Sequence, residues 1–252
     1  RVGQPQLISS LSIAGATGPV TLAGNLALQN AEILAGIALA QLVREGTPVI
    51  FAGASSNAEM RSGALSIGSP EMAMNTAATA QMARYYKLPS RSGGAVCDAK
   101  VPDAQAAYES MMSLLMAQAS GINFVLHTAG ILDTYNCMSY EKFIIDDEMC
   151  GMVKRIKKGF NVNEETLGLN AIKEAGPGGY FLDKEHTLEH FRGELYQPML
   201  SNRDDFDGWS AKGSPYCMET ANKKYQEILA SYEVPELPAD VDKDLRKFID
   251  NL

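Results

Sequence analysis

Three residues at the ends of apolar runs have the types needed to hold a small charged molecule. Arg91 lies in the stretch 88–105, LPSRSGGAVCDAKVPDAQ, which has the form of a buried strand, a glycine-rich turn and a polar helix start. In a parallel α/β sheet ligands sit beyond the carboxyl ends of the strands, so a guanidinium near such a turn can grip an anion. A surface arginine in a salt bridge fits the same stretch. His127 falls at the end of the next apolar run, 122–126, with Asp133, Tyr135 and Asn136 in the loop that follows. A histidine there is commonly a hydrogen-bonded structural residue. The adjacent Arg91 and a tyrosine able to face a cation favour a ligand site at one mouth. Glu59, Arg61 and Asp98, in neighbouring loops, are weaker candidates and read more simply as surface ion pairs.

Other patterns carry less. His186-Thr187-Leu188-Glu189-His190 matches the H-x-x-E-H arrangement of inverted zinc proteases, but a five-residue pattern recurs by chance and no third ligand follows in sensible context. Gly15-Ala16-Thr17-Gly18 lacks both the Walker lysine and G-x-G-x-x-G, and reads as a tight strand-to-helix turn. Cys97, Cys137, Cys150 and Cys217 form no C-x-x-C, which points to reduced thiols in a cytoplasm. The methionines Met72, Met74, Met82, Met111, Met112 and Met116 read as core packing.

The elements that must position these residues repeat. Four times an apolar run is followed by a turn and a helix, at intervals of roughly 35–40 residues, the size of a βα unit. The expected strands are 7–14, 48–52, 90–97 and 122–128. The helices run from the turn at 15–19 through 41, from Ser69 as N-cap with Pro70 and Glu71 in its first turn, from 102 or 103 to 119, and from Ser139 to the basic end Lys154, Arg155, Lys157 and Lys158. The segment 53–68 reads as a long polar loop. Strands without strict alternation belong to a parallel sheet, covered on both faces or closed into a barrel. Four units make half a (β/α)8 barrel, or a complete four-stranded open sheet. The chain begins at Arg1, and the simplest expectation is that an amino-terminal half precedes it. From 163 onward helices, turns and charge replace the repeat, giving 1–160 as a half barrel and 161–252 as a helical extension.

With 252 residues, 46% hydrophobic, and a net charge of -8, the chain suits one or two globular domains and disfavours a nucleic-acid partner. The apolar run 20–43 is interrupted by Asn25, Gln29, Asn30 and Glu32, so it reads as a buried amphipathic helix, with no membrane partner.

The runs GATGPVTLAGNLALQNAEILAGIALAQLV, IGSPEMA, DAKVPDAQAAYES, NFVLHTAG, SYEKFIIDDEMCGMV and GPGGYFLDKEHTLEHFR together resemble the trimethylamine methyltransferase superfamily over essentially the whole chain. The resemblance is to members without pyrrolysine, such as the glycine betaine:corrinoid methyltransferases. It implies a (β/α)8 TIM barrel, of which this chain would be the carboxyl-terminal half plus a helical extension. It also implies transfer of a methyl group from a quaternary amine to the cobalt of a corrinoid (cobalamin) carried by a cognate partner protein, with no tightly bound metal in this chain and a possible homo-oligomer. On that pattern Arg91 and His127 would hold a betaine carboxylate and Tyr135 would lie near the methylammonium. Tyr135 in place of a phenylalanine at that aromatic position leaves the particular betaine open. Trimethylamine enzymes of the superfamily carry pyrrolysine, so a permanently charged substrate is favoured here over trimethylamine. A non-catalytic binding module for the same zwitterions, and a zinc hydrolase using His186, Glu189 and His190, are the alternatives from other classes.

Overall fold

The computed structural model describes residues 3–251. In chain order it runs β1 (Gln6–Ser10), β2 (Ile13–Ala14), α1 (Leu22–Val43), β3 (Val49–Gly53), β4 (Ser56–Ala58), β5 (Leu65–Ser66), α2 (Pro70–Tyr85), β6 (Ser90–Gly93) and α3 (Ala104–Ala119). It continues with β7 (Phe124–Leu126), β8 (Ile131–Leu132), β9 (Cys137–Met138) and α4 (Tyr140–Lys158). The tail carries α5 (Leu169–Ala175), α6 (Glu185–Glu194), α7 (Phe206–Ala211), α8 (Cys217–Ala230) and α9 (Ala239–Asp250).

The strands β1, β3, β6 and β7 form one sheet in that order, every neighbour parallel. Sequential strands lying side by side, each followed by a returning helix, are the signature of repeated βα units. The helix starts follow local chemistry. The Ser69 hydroxyl accepts the Met72 N–H at the head of α2, Asp103 accepts from Ala106 at α3, and Ser139 accepts from Lys142 at α4, each satisfying an amide that the first turn leaves without a partner. At the other end of α4, Arg155, Lys157 and Lys158 face the negative end of the helix dipole.

Helices cover one face of the sheet. Phe51, fully buried, packs with Ile33 of α1 and Ala83 of α2, a burial that contributes about 1.5–3 kcal/mol for a side chain of this kind. Side chains alternate along a strand, so Ala52 faces the other way. Ser92 makes the same point for β6, because its hydroxyl lies 3.0 Å from Thr76 Oγ1 on α2. Arg91, between Ser90 and Ser92, therefore faces away from the helices, in register with Ala52 and Phe124. That second face is open along its outer strands, with Leu7 38% and Phe124 48% exposed, while Ala52 and Arg91 at its centre are buried.

Four expectations need correction. The first strand does not run through 7–14. After Ser10 the Ser12 N–H turns to Ser55 Oγ at 2.9 Å, and Ile13–Ala14 pairs instead with β4 in a separate small sheet, order β2-β4-β5. The 53–68 segment is accordingly not a plain loop. The third strand stops at Gly93, short of the expected 97, with Arg91 as its second residue. The fourth correction concerns α1: Asn25 and Gln29 are buried together with Ile33, while Leu39, Leu42 and Val43 near its end are 64%, 85% and 79% exposed. The cause is a polar seam. Asn25 donates to the Ser12 and Ser56 carbonyls, and Gln29 meets Thr79 and Asn75 of α2, so both amide nitrogens find acceptors inside, while Asn25 Oδ1 is buried without a partner. By length and composition α1 is apolar enough to cross a membrane.

The tail docks through α4. Glu148, buried on that helix, accepts the Met199 and Leu200 N–H groups and the Ser201 hydroxyl. Ile144 packs with Leu200 and Ala221 beside it.

Candidate functional site

Arg91 is the buried cation of the open face, 7% exposed, and none of the salt bridges among the described residues includes it. Its Nε–H is buried without a hydrogen-bond partner. Burial lowers the guanidinium pKa and the nearby Tyr135 opposes that shift, yet an arginine stays charged in such surroundings. A desolvated cation with donors to spare is costly unless a ligand or another chain element supplies the acceptor.

The next unit closes over it. Gly94, just past β6, has no room for a side chain: a Cβ there would stand 2.6 Å from Thr128 Oγ1 and 2.8 Å from Val125 Cγ1. The missing Cβ lets the segment after β7 lie directly on the end of β6. That segment begins with His127, whose φ of 55° is left-handed. From there β8 and β9 form a small antiparallel hairpin, with the turn Asp133–Tyr135 between them. Asp133, Thr134 and Tyr135 have φ of 48°, 55° and 73°. Left-handed backbone costs roughly 1–2 kcal/mol per residue for non-glycine types, and such strain concentrates where a site over-determines the chain.

The turn brings Tyr135 back toward β6. Its ring lies edge-on to His127, centroids 5.0 Å apart, and its hydroxyl reaches over Gly93, 3.8 Å from where a Cβ would be. Burial lowers the His127 pKa and the Arg91 charge adds to that, so the imidazole is neutral near pH 7 and carries one donor and one acceptor. Burial raises the Tyr135 pKa, against the opposing effect of Arg91, which keeps the phenol protonated. The three residues singled out in the sequence thus come together around one patch: a guanidinium, a neutral imidazole and a phenol ring on a partly apolar sheet face. Such a patch can grip an anion at one end and receive a cation against an aromatic at the other.

Glu59 and Arg61 stand apart from it. Both are exposed, and the Arg61 N–H donates to Glu59 Oε1 within one surface turn. Asp98 is no surface ion pair either. Its carboxylate accepts from Ser66, Ile67 and Thr134, tying three loops together. Two further acidic groups serve the same loops and carried no motif. Glu109 of α3 accepts the Asp98 N–H at 2.7 Å. Asp146 of α4 accepts the Gly130 N–H at 2.8 Å and is bridged by Lys142 Nζ at 2.5 and 2.6 Å, with Ser110 as a further partner of that amine. Burial outweighs Lys142 and the Gly130 N–H, pushing the Asp146 pKa up to about 6. The spacing of Lys142 and Asp146, one helical turn apart, was the available signal; that both are fully buried was not visible from it.

His186 and His190 lie elsewhere. Their rings are 4.4 Å apart on α6, beside Glu165. Helix α6 contacts the basic end of α4 through Arg155 and Glu194, the end remote from Ser139, and a helix of that length spans roughly 28 Å. Among the described residues no group of three or more His, Cys, Asp or Glu side chains is arranged to hold a metal ion. A cleft of about 700 Å³, lined in part by Gln6, Leu39, Val43, Thr47 and Pro48, is at the amino ends of the strands, the end that ligands avoid in parallel sheets.

Residues 1–251 match the family described as trimethylamine methyltransferase (MTTB). A glycine betaine methyltransferase of Desulfitobacterium hafniense (strain Y51) is 51% identical over 247 residues, covering 98% of this chain and 51% of the relative. A trimethylamine methyltransferase MttB of Methanosarcina barkeri (strain Fusaro / DSM 804) is 37% identical over 250 residues, covering 99% of this chain and 50% of its own length. A second, from Desulfitobacterium hafniense (strain DSM 10664 / DCB-2), is 34% identical over 250 residues, with the same coverage. The chain spans about half the length of the curated relatives it matches.

Proposed function

The chain belongs to the trimethylamine methyltransferase family, and on that footing we propose that it forms part of a methyltransferase that moves a methyl group from a quaternary amine, glycine betaine or a similar betaine, to the Co(I) of a corrinoid on a cognate partner protein. The observation that carries the substrate class is Arg91: a buried cation with an unpartnered Nε–H, on the open face, next to a neutral imidazole and an aromatic ring.

In this reading Arg91 holds the betaine carboxylate through charge-assisted bonds and His127 donates to the same group. Tyr135 offers its ring face to the methylammonium. The corrinoid supplies the nucleophile and accepts the methyl group; the C–N electron pair stays with the departing amine, which leaves neutral, so no protein acid is needed. The residues of this chain orient the amine, hold its carboxylate end and exclude water from the reacting methyl. The methyl acceptor reaches the site from the carboxyl ends of the strands, where the loops that carry His127 and Tyr135 lie.

The same reading takes 1–160 as the carboxyl-terminal half of a (β/α)8 barrel and 161–252 as a helical extension. The four parallel strands in sequential order, the exposed Leu7 and Phe124 on the face turned from the helices and the span of about half of each relative support it.

The test is to incubate the full-length protein with reduced corrinoid and a panel of quaternary amines together with trimethylamine, following the corrinoid's visible spectrum on methylation. Methylation by one or more betaines is expected. Betaine binding without methylation would replace the enzyme with a binding module, and methylation by trimethylamine alone would overturn the substrate class.

A further inference from the structure

The left-handed turn that presents Tyr135 is held from outside its own hairpin. Its backbone is tied by Asp133 N–H to the Ala99 carbonyl at 2.9 Å and by Thr134 N–H to the Cys97 carbonyl at 3.3 Å. Both carbonyls flank Asp98. The Asp98 carboxylate then takes the Thr134 hydroxyl on Oδ1 at 2.9 Å. On the same oxygen it receives the Ile67 N–H at 2.8 Å, and on Oδ2 the Ser66 hydroxyl at 2.6 Å. Its own N–H donates to Glu109 Oε2 at 2.7 Å, which pins it to α3. Lys100 closes the outer side, bonding Asp133 Oδ1 and the Asp98 carbonyl, each at 2.7 Å. One carboxylate thus joins the second, third and fourth βα units at the mouth, and the residue it grips is the immediate neighbour of Tyr135.

Three consecutive non-glycine residues with positive φ do not keep that conformation unaided. The external ties supply what holds them, and the Asp98 side chain reaches the centre of the turn at Thr134. A carboxylate with three donors on two oxygens is a rigid fixture.

We propose that Asp98 is a positioning residue: by holding Thr134 it keeps the Asp133–Tyr135 turn left-handed and sets the Tyr135 ring against His127 and Arg91, so that it controls recognition of the cationic end of the substrate without touching the substrate. The role rests on the reading of Tyr135 given above.

The test uses the full-length protein and three variants, Asp98→Ala, Thr134→Val and Tyr135→Ala, with the Asp98→Ala/Tyr135→Ala double variant. Thr134→Val removes only the gripped hydroxyl and guards against a folding defect in Asp98→Ala. Amide exchange across residues 131–138 should speed up by about tenfold in both Asp98→Ala and Thr134→Val, as local opening becomes easier. Glycine betaine affinity, measured by calorimetry without turnover, should fall about tenfold in Asp98→Ala when Tyr135 is present and less than about twofold when it is absent, the non-additivity expected of residues that act through one another. Unchanged exchange, or the same loss of affinity with and without Tyr135, overturns the positioning role. If Tyr135→Ala weakens betaine binding while Asp98→Ala does not, the substrate reading stands and this inference falls. If Tyr135→Ala leaves betaine binding intact, both fall together.

Discussion

Arg91 matters because its position makes two demands at once. It lies inside β6 in register with Ala52 and Phe124, so its backbone is fixed by the ladder, and its guanidinium is desolvated without an ion-pair partner. If the partner is a betaine carboxylate, Arg91→Ala removes a contact worth on the order of 2–4 kcal/mol. Methyl transfer from a betaine should then fall roughly 30- to 1000-fold, while transfer from tetramethylammonium, which has no carboxylate, should change much less. Equal losses for the two substrates with an unaltered melting temperature would remove Arg91 from the site. Gly94 is the second residue whose chemistry is set by place. Gly94→Ala puts a Cβ against Thr128 and Val125, and overpacking of this kind costs about 1–3 kcal/mol. The strain falls on the segment that carries His127, so betaine affinity should drop along with the melting temperature; a variant of unchanged stability and affinity would show that the segment yields freely.

The loop after β7 is an element held at two points, Asp98 at its tip and Asp146 at its base. The base is a buried ion pair, and the two charges support each other more than they support the fold. Removing Asp146 alone leaves Lys142 charged and unpaired, which costs about 3–5 kcal/mol in comparable pairs, whereas replacing both by apolar residues of similar volume is often neutral. We therefore expect Asp146→Ala to lower the unfolding free energy severely and Lys142→Met/Asp146→Leu to recover most of that loss, as read from denaturant melts. The pH dependence has a definite sign. Because the folded-state pKa of Asp146 is raised to about 6 from 3.8, the folded protein binds the extra proton between those values, and this group's contribution to stability falls as pH rises from about 4 to about 6. Above that window the destabilising contribution is fully present. A double variant lacking the carboxylate should lose this part of the pH profile, and an unchanged profile would assign it to another group.

At the scale of the molecule the sheet has two outer strands, β1 and β7, and a face turned away from the helices that is open along them, with Leu7 and Phe124 exposed. Parallel sheets in α/β proteins have both faces covered, and an uncovered strand edge presents unpaired amides. In the half-barrel reading these edges are filled in the full-length protein. The β1 amides that do not pair with β3 should then exchange slowly in the full-length protein and rapidly in the isolated 252-residue segment. Equal exchange in both would argue for an open sheet that stands as it is.

How much of this was legible in the sequence depends on the range of the interaction involved. The chain by itself determined the βα repeat, the direction of the strands and the starts of three helices, because Ser69, Asp103 and Ser139 cap amides only three residues away and apolar periodicity is a local property. It also marked Arg91, His127 and Tyr135, since each stands at or near the carboxyl end of a strand. Tertiary structure alone decided the rest. The burial of Asn25 and Gln29 on α1 depends on partners in Ser12, Ser56, Asn75 and Thr79, which no helical period reveals. The conversion of Asp98 from a surface charge to a tie between three loops depends on Ser66, Ile67 and Thr134 arriving from other units. The left-handed turn under Tyr135 has no glycine to announce it. Its conformation is imposed by hydrogen bonds from the neighbouring loop, and bonds between residues more than thirty positions apart exist only once the sheet has brought those loops side by side.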